Sequence, residues 1–90
     1  MASHNRMWYV YVLRSENDPT RTYIGITEDL DRRIAEHNSD TQYFTSRYSP
    51  WRLDAYIAFS DKKKAFSFEK YLKVGSGKAF LNKRIIGSGS

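Results

Sequence analysis

The chain has no cysteine. Disulfides, thiolate zinc sites and a cysteine nucleophile are therefore excluded, and a reducing compartment is compatible with the composition. Histidine is nearly absent too. His4 and His37 are too few and too far apart in sequence to suggest an imidazole zinc site. No apolar run approaches the roughly 20 residues that span a bilayer. Residues 1–6 are polar and lack the apolar stretch of a signal peptide. These absences lead us to expect a soluble, cytoplasmic protein with no membrane partner. Internal repeats and interior linkers are also missing. Acids are scarce in the second half: from Ser60 to Arg84 there are eight Lys/Arg against only Asp61 and Glu69. Such an imbalance points to a polyanionic partner, with nucleic acid first. Lysines kept for solubility are the alternative.

What is present fits one small domain. Ninety residues allow a modest core, and 16% aromatic content fills it efficiently. Trp8 to Arg14 reads as a strand that is apolar on both faces, hence central. Ser15 to Thr20 is a turn cluster, and Arg21 to Thr27 a second strand, giving an antiparallel hairpin. Thr27 is the expected N-cap of a helix reaching about Asn38, with Leu30 and Ile34 as its core line. A polar loop, Ser39 to Pro50, carries Tyr43, Phe44, Arg47 and Tyr48. Leu53, Ala55, Ile57 and Phe59 alternate with Arg52, Asp54, Tyr56 and Ala58 in a third strand. Ser60 or Asp61 caps a second helix from Lys62 to Val74, and Gly75 ends it. Ser76 is the expected cap of a short third helix from about Gly77 to Arg84. The fold class is α+β: a small three-stranded, mainly antiparallel sheet flanked by helices, in the order β-β-α-β-α-α. The expected domain covers 7–84, between a polar lead over 1–6 and a flexible Gly/Ser tail over 85–90.

One carboxylate stands out. At about 100° per residue, Ala65, Phe68 and Leu72 form the apolar face of the second helix, and Glu69 falls about 40° from Ala65 on that same face. A charge there asks for a partner. An i,i+4 pair with Lys73 is one answer; a divalent cation, which takes one or two carboxylates and keeps several waters, is the other. On the first helix Arg32 faces solvent, whereas Arg33 lies about 60° from Leu30, at the border of the core. His37, four residues on, shares the Arg33 face. An Asp29–Arg33 surface pair with an incidental histidine is the plainer alternative. Tyr23 and Gly25 project from one face of the second strand, and a strand glycine often marks a close approach. Tyr9 and Tyr11 share a face of the first strand, so a tyrosine cluster can form beside Gly25. Ordinary core tyrosines would also explain them.

Taken in order, Tyr9-Val10-Tyr11, Tyr23-Ile24-Gly25, Thr27, Asp29-Leu30, Arg32-Arg33, His37-Asn38 and Glu69-Lys70 resemble the GIY-YIG nuclease domain over residues 8 to about 84. The pattern is similar to small stand-alone bacterial members, to the N-terminal nuclease domain of the bacterial excision-repair endonuclease, and to intron-encoded homing endonucleases. Tyr9 and Val10 replace the Gly and Ile of the first triplet, and Ile26 stands where some members have lysine. The resemblance implies a divalent-metal-dependent endonuclease that hydrolyses phosphodiester bonds with one ion, Mg²⁺ or Mn²⁺. DNA is expected ahead of RNA, in a repair or defence setting. It also implies the roles. Tyr23 orients or deprotonates the attacking water, and Tyr11 hydrogen-bonds that water or the phosphate. Arg33 binds the phosphate, His37 touches phosphate or assists proton transfer, and Glu69 holds the metal. Tyr9, Lys70, Lys73, Lys78 and Asn82 are the candidate nucleic-acid contacts, Asn82 standing for the family's late asparagine. Sequence specificity is expected to be weak or to come from a protein partner. The alternatives are a non-catalytic nucleic-acid-binding module of the same fold and an adaptor whose lysine-rich face meets a protein.

Overall fold

The structure, a computed structural model, describes residues 6–39 and 47–87. Tyr43 and Phe44 of the expected loop, and His4, lie outside the described residues. Three antiparallel strands, β1 (Trp8–Ser15), β2 (Thr22–Thr27) and β3 (Trp51–Phe59), form one sheet in the order β2-β1-β3. The central strand is the one whose sequence is apolar on both faces. Val10 and Val12 point to one layer, with Ala65, Leu72 and Leu81. Tyr11 and Leu13 point to the other, with Trp51. Each valine and leucine among them contributes about 1.5–3 kcal/mol on burial.

The sharp end of the hairpin is tied by Ser15. Its buried hydroxyl accepts from the amides of Asn17 and Asp18, at 3.2 and 2.9 Å, and donates to the Tyr48 carbonyl at 2.6 Å. Helix α1 (Leu30–His37) follows β2. Its N-cap is Asp29, not Thr27 as the sequence suggested. Asp29 Oδ1 accepts from the Arg32 amide at 3.1 Å, and Thr27 instead receives the Asp29 amide on its hydroxyl at 3.0 Å. Thr27 is still strand, so the cap falls two residues later. Leu30 and Ile34 pack on the Tyr11–Leu13–Trp51 cluster, as their spacing implied.

Strand β3 departs from expectation. Its partners on β1 slip by one residue between Val12 and Leu13: Val12 faces Ala55, whereas Leu13 faces Leu53. A bulge of this kind reverses which face each side chain takes. Trp51 and Leu53 share the α1 face, and Ala55, Ile57 and Phe59 the opposite one. The single apolar row read from the alternation is thus split between two layers. Leu53 and Ile57 stay more than a third exposed on this edge strand.

Helix α2 (Lys62–Lys73) is capped by Asp61, whose Oδ1 accepts from the Lys63 amide at 2.8 Å. Ala65 and Leu72 are buried and Phe68 packs beside them. Val74, with extended backbone, occupies the cap position of α3 (Gly75–Phe80), so Ser76 does not cap it. Gly77 is obligatory there, because a Cβ would collide with the Tyr71 carbonyl. Leu81–Ile86 continue in wider π-type turns as α4. Ile85 and Ile86 pack on the core, so the expected tail over 85–90 begins too early. Arg14 explains the anchoring: its guanidinium donates to Asp54 Oδ2 at 3.1 Å, to the Ile86 carbonyl at 2.8 Å and to the Pro19 carbonyl at 3.2 Å. Among the described residues, no helix is long and apolar enough to cross a membrane.

Candidate active site

The β1–β2 register sets Tyr11 directly opposite Gly25. Gly25 has no Cβ, and the space a Cβ would fill is taken by the Tyr11 hydroxyl and ring. The close approach that the strand glycine announced is therefore a tyrosine side chain. Tyr23, two residues earlier on β2, stacks on Tyr11 with centroids 6.3 Å apart and lies 4.5 Å from the His37 ring. Helix α1 is laid over this face by Leu30 and Ile34, and its i,i+4 spacing delivers Arg33 and His37 to the tyrosines.

The Tyr11 hydroxyl is 3.0 Å from His37 Nε2. Burial pushes the phenol up to about 12, although Arg33 opposes the shift. Burial also pulls the His37 imidazole below its ordinary value, helped by the Arg33 charge. Near neutral pH the pair is a phenol and a neutral imidazole. The Arg33 charge is close enough to act on both groups. Which of the Tyr11 hydroxyl and His37 Nε2 donates follows the imidazole tautomer.

Arg33 is held by Glu36. Its Nη1 donates to Glu36 Oε1 at 2.8 Å, and Glu36 also accepts from Arg32 at 3.2 Å. The Glu36 hydrogen bond raises the Arg33 guanidinium further and holds the Glu36 carboxyl below the usual carboxylate range. The Asp29–Arg33 pair considered from sequence does not form, because Asp29 is spent on the helix cap. A cleft of about 230 Å³ opens here, lined by Thr27, Glu28, Asp29, Arg32, Arg33 and Glu36. Exposure divides the cluster. Tyr11 and His37 are each 1% exposed, so of the two roles expected of His37, phosphate contact or proton transfer, the direct contact would need the enclosure to open. Tyr23 and Arg33 are half-buried and can be reached.

Tyr9 does not join this cluster. It packs edge-on against Tyr56 at 5.6 Å, nearer the start of α1. Glu69 projects from α2, which packs on the opposite layer of the sheet. Its side chain is 14% exposed and forms an ion pair with Lys73 at 2.5 Å, the first of the two partners the sequence allowed. Beside it a groove of about 280 Å³ follows the open edge of β2. Thr22, Tyr23, Ile24, Leu72, Lys73, Lys78, Leu81 and Asn82 line it. A second groove, of about 610 Å³, shares Thr22, Lys78 and Asn82 and runs on to Arg14 and Ile86. Lys73, Lys78 and Asn82 are therefore brought together, whereas exposed Lys70 lines neither groove. Tyr23 belongs to both sides: its ring lies in the α1 cluster and its residue borders the α2 groove.

Among the described residues, no three His, Asp or Glu gather to hold a metal. The donor set fits only an ion that accepts a single carboxylate and keeps most of its water, which suits Mg²⁺ or Mn²⁺. Glu69 is partly buried and balanced by one ammonium.

Sequence reasoning missed two supports. Glu36 carried the signal of i,i+3 spacing from Arg33. Asn38 accepts the Trp51 amide at 2.6 Å and donates to the Trp51 carbonyl at 3.1 Å, clamping the end of α1 to β3. A contact between Asn38 and a strand start thirteen residues away leaves no periodic trace.

The model of the GIY-YIG catalytic domain matches residues 7–84. A structure-specific endonuclease subunit SLX1 homolog of Giardia intestinalis is 42% identical over 65 residues, covering 68% of this chain and 18% of that protein. The structure-specific endonuclease subunit SLX1 of Malassezia globosa is 37% identical over 68 residues, 71% of this chain and 15% of its own. The chain thus spans less than a fifth of the length of these two relatives. A UPF0213 protein of Bacillus halodurans, solved by NMR, superposes with a TM-score of 0.52 at 30% identity, covering 88% of this chain and 86% of its own.

Proposed function

The chain belongs to the GIY-YIG catalytic domain family, and from that premise we propose that it is a divalent-metal-dependent endonuclease whose catalytic unit lies within 7–84. The observation that carries this reading is the exposure pattern of the cluster. Tyr23 and Arg33 are its reachable members, and they are backed by the enclosed Tyr11–His37 hydrogen bond. Relatives named as structure-specific endonuclease subunits support the reaction class.

Each residue then has a task. Arg33 binds the scissile phosphate and stabilises its developing charge with its fixed fork of donors. Tyr23 holds the attacking water by its hydroxyl and aims it at phosphorus. Tyr11 and His37 are positioning residues: their rings back the plane of Tyr23. Glu69 would hold Mg²⁺ or Mn²⁺. The ion, when bound, supplies Lewis-acid stabilisation of phosphate oxygens. Lys73, Lys78 and Asn82 follow the backbone along the β2 edge, and their charge makes binding salt-sensitive. DNA is the first substrate to test, and a further domain or a partner protein supplies specificity, in keeping with relatives that are several times longer and named as subunits.

The test is nicking of supercoiled plasmid, and cutting of flap, junction, single-stranded and RNA substrates, with Mg²⁺ or Mn²⁺. Arg33→Ala and Glu69→Ala should each lose about 100-fold or more. Equal residual cutting by wild type and both variants would mark a contaminant and defeat the reading. A second reading, that the same surfaces hold nucleic acid without cutting it, is favoured by the Lys73 ammonium already seated on Glu69. Salt-sensitive binding indifferent to metal, with no cutting of any substrate, would select it.

A further inference from the structure

The Glu69 carboxylate is enclosed on most sides, with only 14% of its side chain exposed, and Lys73 Nζ sits against Oε2. Lys73 itself is 49% exposed and also lines the β2-edge groove with Lys78 and Asn82. One ammonium therefore stands between a carboxylate and a cationic groove. We propose that Lys73 is a resident counter-cation that keeps Glu69 closed to metal until a nucleic-acid phosphate in the groove draws the ammonium away. Metal and substrate then bind this site cooperatively. The inference rests on the reading of Glu69 as the metal-holding residue.

The physical argument is one of charge exclusion. A partly buried carboxylate requires a counter-charge, and here Lys73 supplies it from one helical turn away. A divalent ion and an ammonium at one carboxylate repel each other, so a metal must displace Lys73. A phosphate in the groove offers the displaced ammonium a new partner. The four-carbon stem of lysine allows that swing without moving α2. By linkage, whatever DNA does for metal affinity, metal does for DNA affinity.

The test is Mn²⁺ binding, read by the EPR signal of the free ion, with no cleavage measured. Wild type, Lys73→Met and Glu69→Gln are titrated alone and with an uncleavable phosphorothioate duplex. The Glu69→Gln curve subtracts ions held by DNA, and far-UV circular dichroism checks that each variant folds. Lys73→Met without DNA should bind Mn²⁺ about tenfold more tightly than wild type. The duplex should tighten Mn²⁺ binding to wild type and add little to Lys73→Met. Unchanged or weaker Mn²⁺ affinity in Lys73→Met would overturn the gate, provided that binding still depends on Glu69. Without DNA, Mn²⁺ binding by Glu69→Gln as tight as that of wild type would instead overturn the assignment of Glu69, and the gate with it.

Discussion

The Tyr11 phenol occupies the space that a side chain at Gly25 would need, so the two residues are complementary across the β1–β2 ladder. Tyr11 cannot retreat, because its hydroxyl is fixed by His37 and its ring is 1% exposed. Gly25→Ala should therefore destabilise the domain by about 1–3 kcal/mol, the usual cost of overpacking. Combining it with Tyr11→Leu should cost less than the sum of the two single changes, because the clash has been removed. Urea unfolding of the four proteins measures the coupling. Additive losses would mean that Gly25 is required for some other reason.

The enclosed Tyr11–His37 pair sets two pH limits. The imidazole of His37 lies below its ordinary value when folded. On acidification the unfolded chain takes up a proton near pH 6.5 that the folded chain refuses. Stability is then full above about pH 7 and falls as pH drops below about 6.5. Tyr11 acts in the opposite direction, because the folded phenol keeps its proton until about 12. An unfolded tyrosine releases it near pH 10, so stability falls again as pH rises above about 10. Urea midpoints between pH 5 and 8 should show the acid limb, and His37→Gln should flatten it. An equally steep limb in His37→Gln would assign the effect to other groups.

Local pattern was enough for some of this and not for the rest. Periodicity placed Arg33 with His37, Ala65 with Leu72, and Glu69 beside them, because helix geometry is a property of spacing alone. The hairpin followed from a turn cluster between two strands. The β3 row failed because a bulge opposite Val12 and Leu13 is a pairing event, visible only once β1 is beside β3. The Asp29–Arg33 pair failed because Asp29 had a competing use as the α1 cap. Arg14 was silent for a similar reason: its three partners come from distant segments. The Glu69–Lys73 pair was one of two partners that i,i+4 spacing offered, and it is the one that forms; the roles of the site residues came from the family resemblance.

Arg33 shares its charge with Glu36 before any substrate arrives. A phosphate must compete with that carboxylate. Glu36→Gln keeps a hydrogen-bonding group and removes the charge, so DNA binding should tighten by up to about fivefold at low salt. The gain should shrink as salt rises. Fluorescence anisotropy with a labelled duplex, across a salt series, measures it. Weaker binding by Glu36→Gln would show that Glu36 holds the Arg33 fork in its binding pose, so that orientation outweighs competition.

Arg14 joins three otherwise separate places: the β3 bulge at Asp54, the turn at Pro19 and the end of α4 at Ile86. Its side chain and that of Asp54 are 14% and 17% exposed, so water only partly replaces what is lost. Arg14→Met retains the apolar stem but leaves the Asp54 carboxylate and the Ile86 carbonyl without this donor. The expected loss is about 2–3 kcal/mol, the scale of hydrogen bonds to a charged group. Because α4 presents Asn82 and borders both grooves, the same change should weaken DNA binding before it unfolds the sheet. Hydrogen exchange should then rise first in 81–86 and leave the central strand protected. Uniform acceleration across β1 and α4 would instead mean that Arg14 stabilises the domain as one unit, with no separate hold on its C-terminal turn.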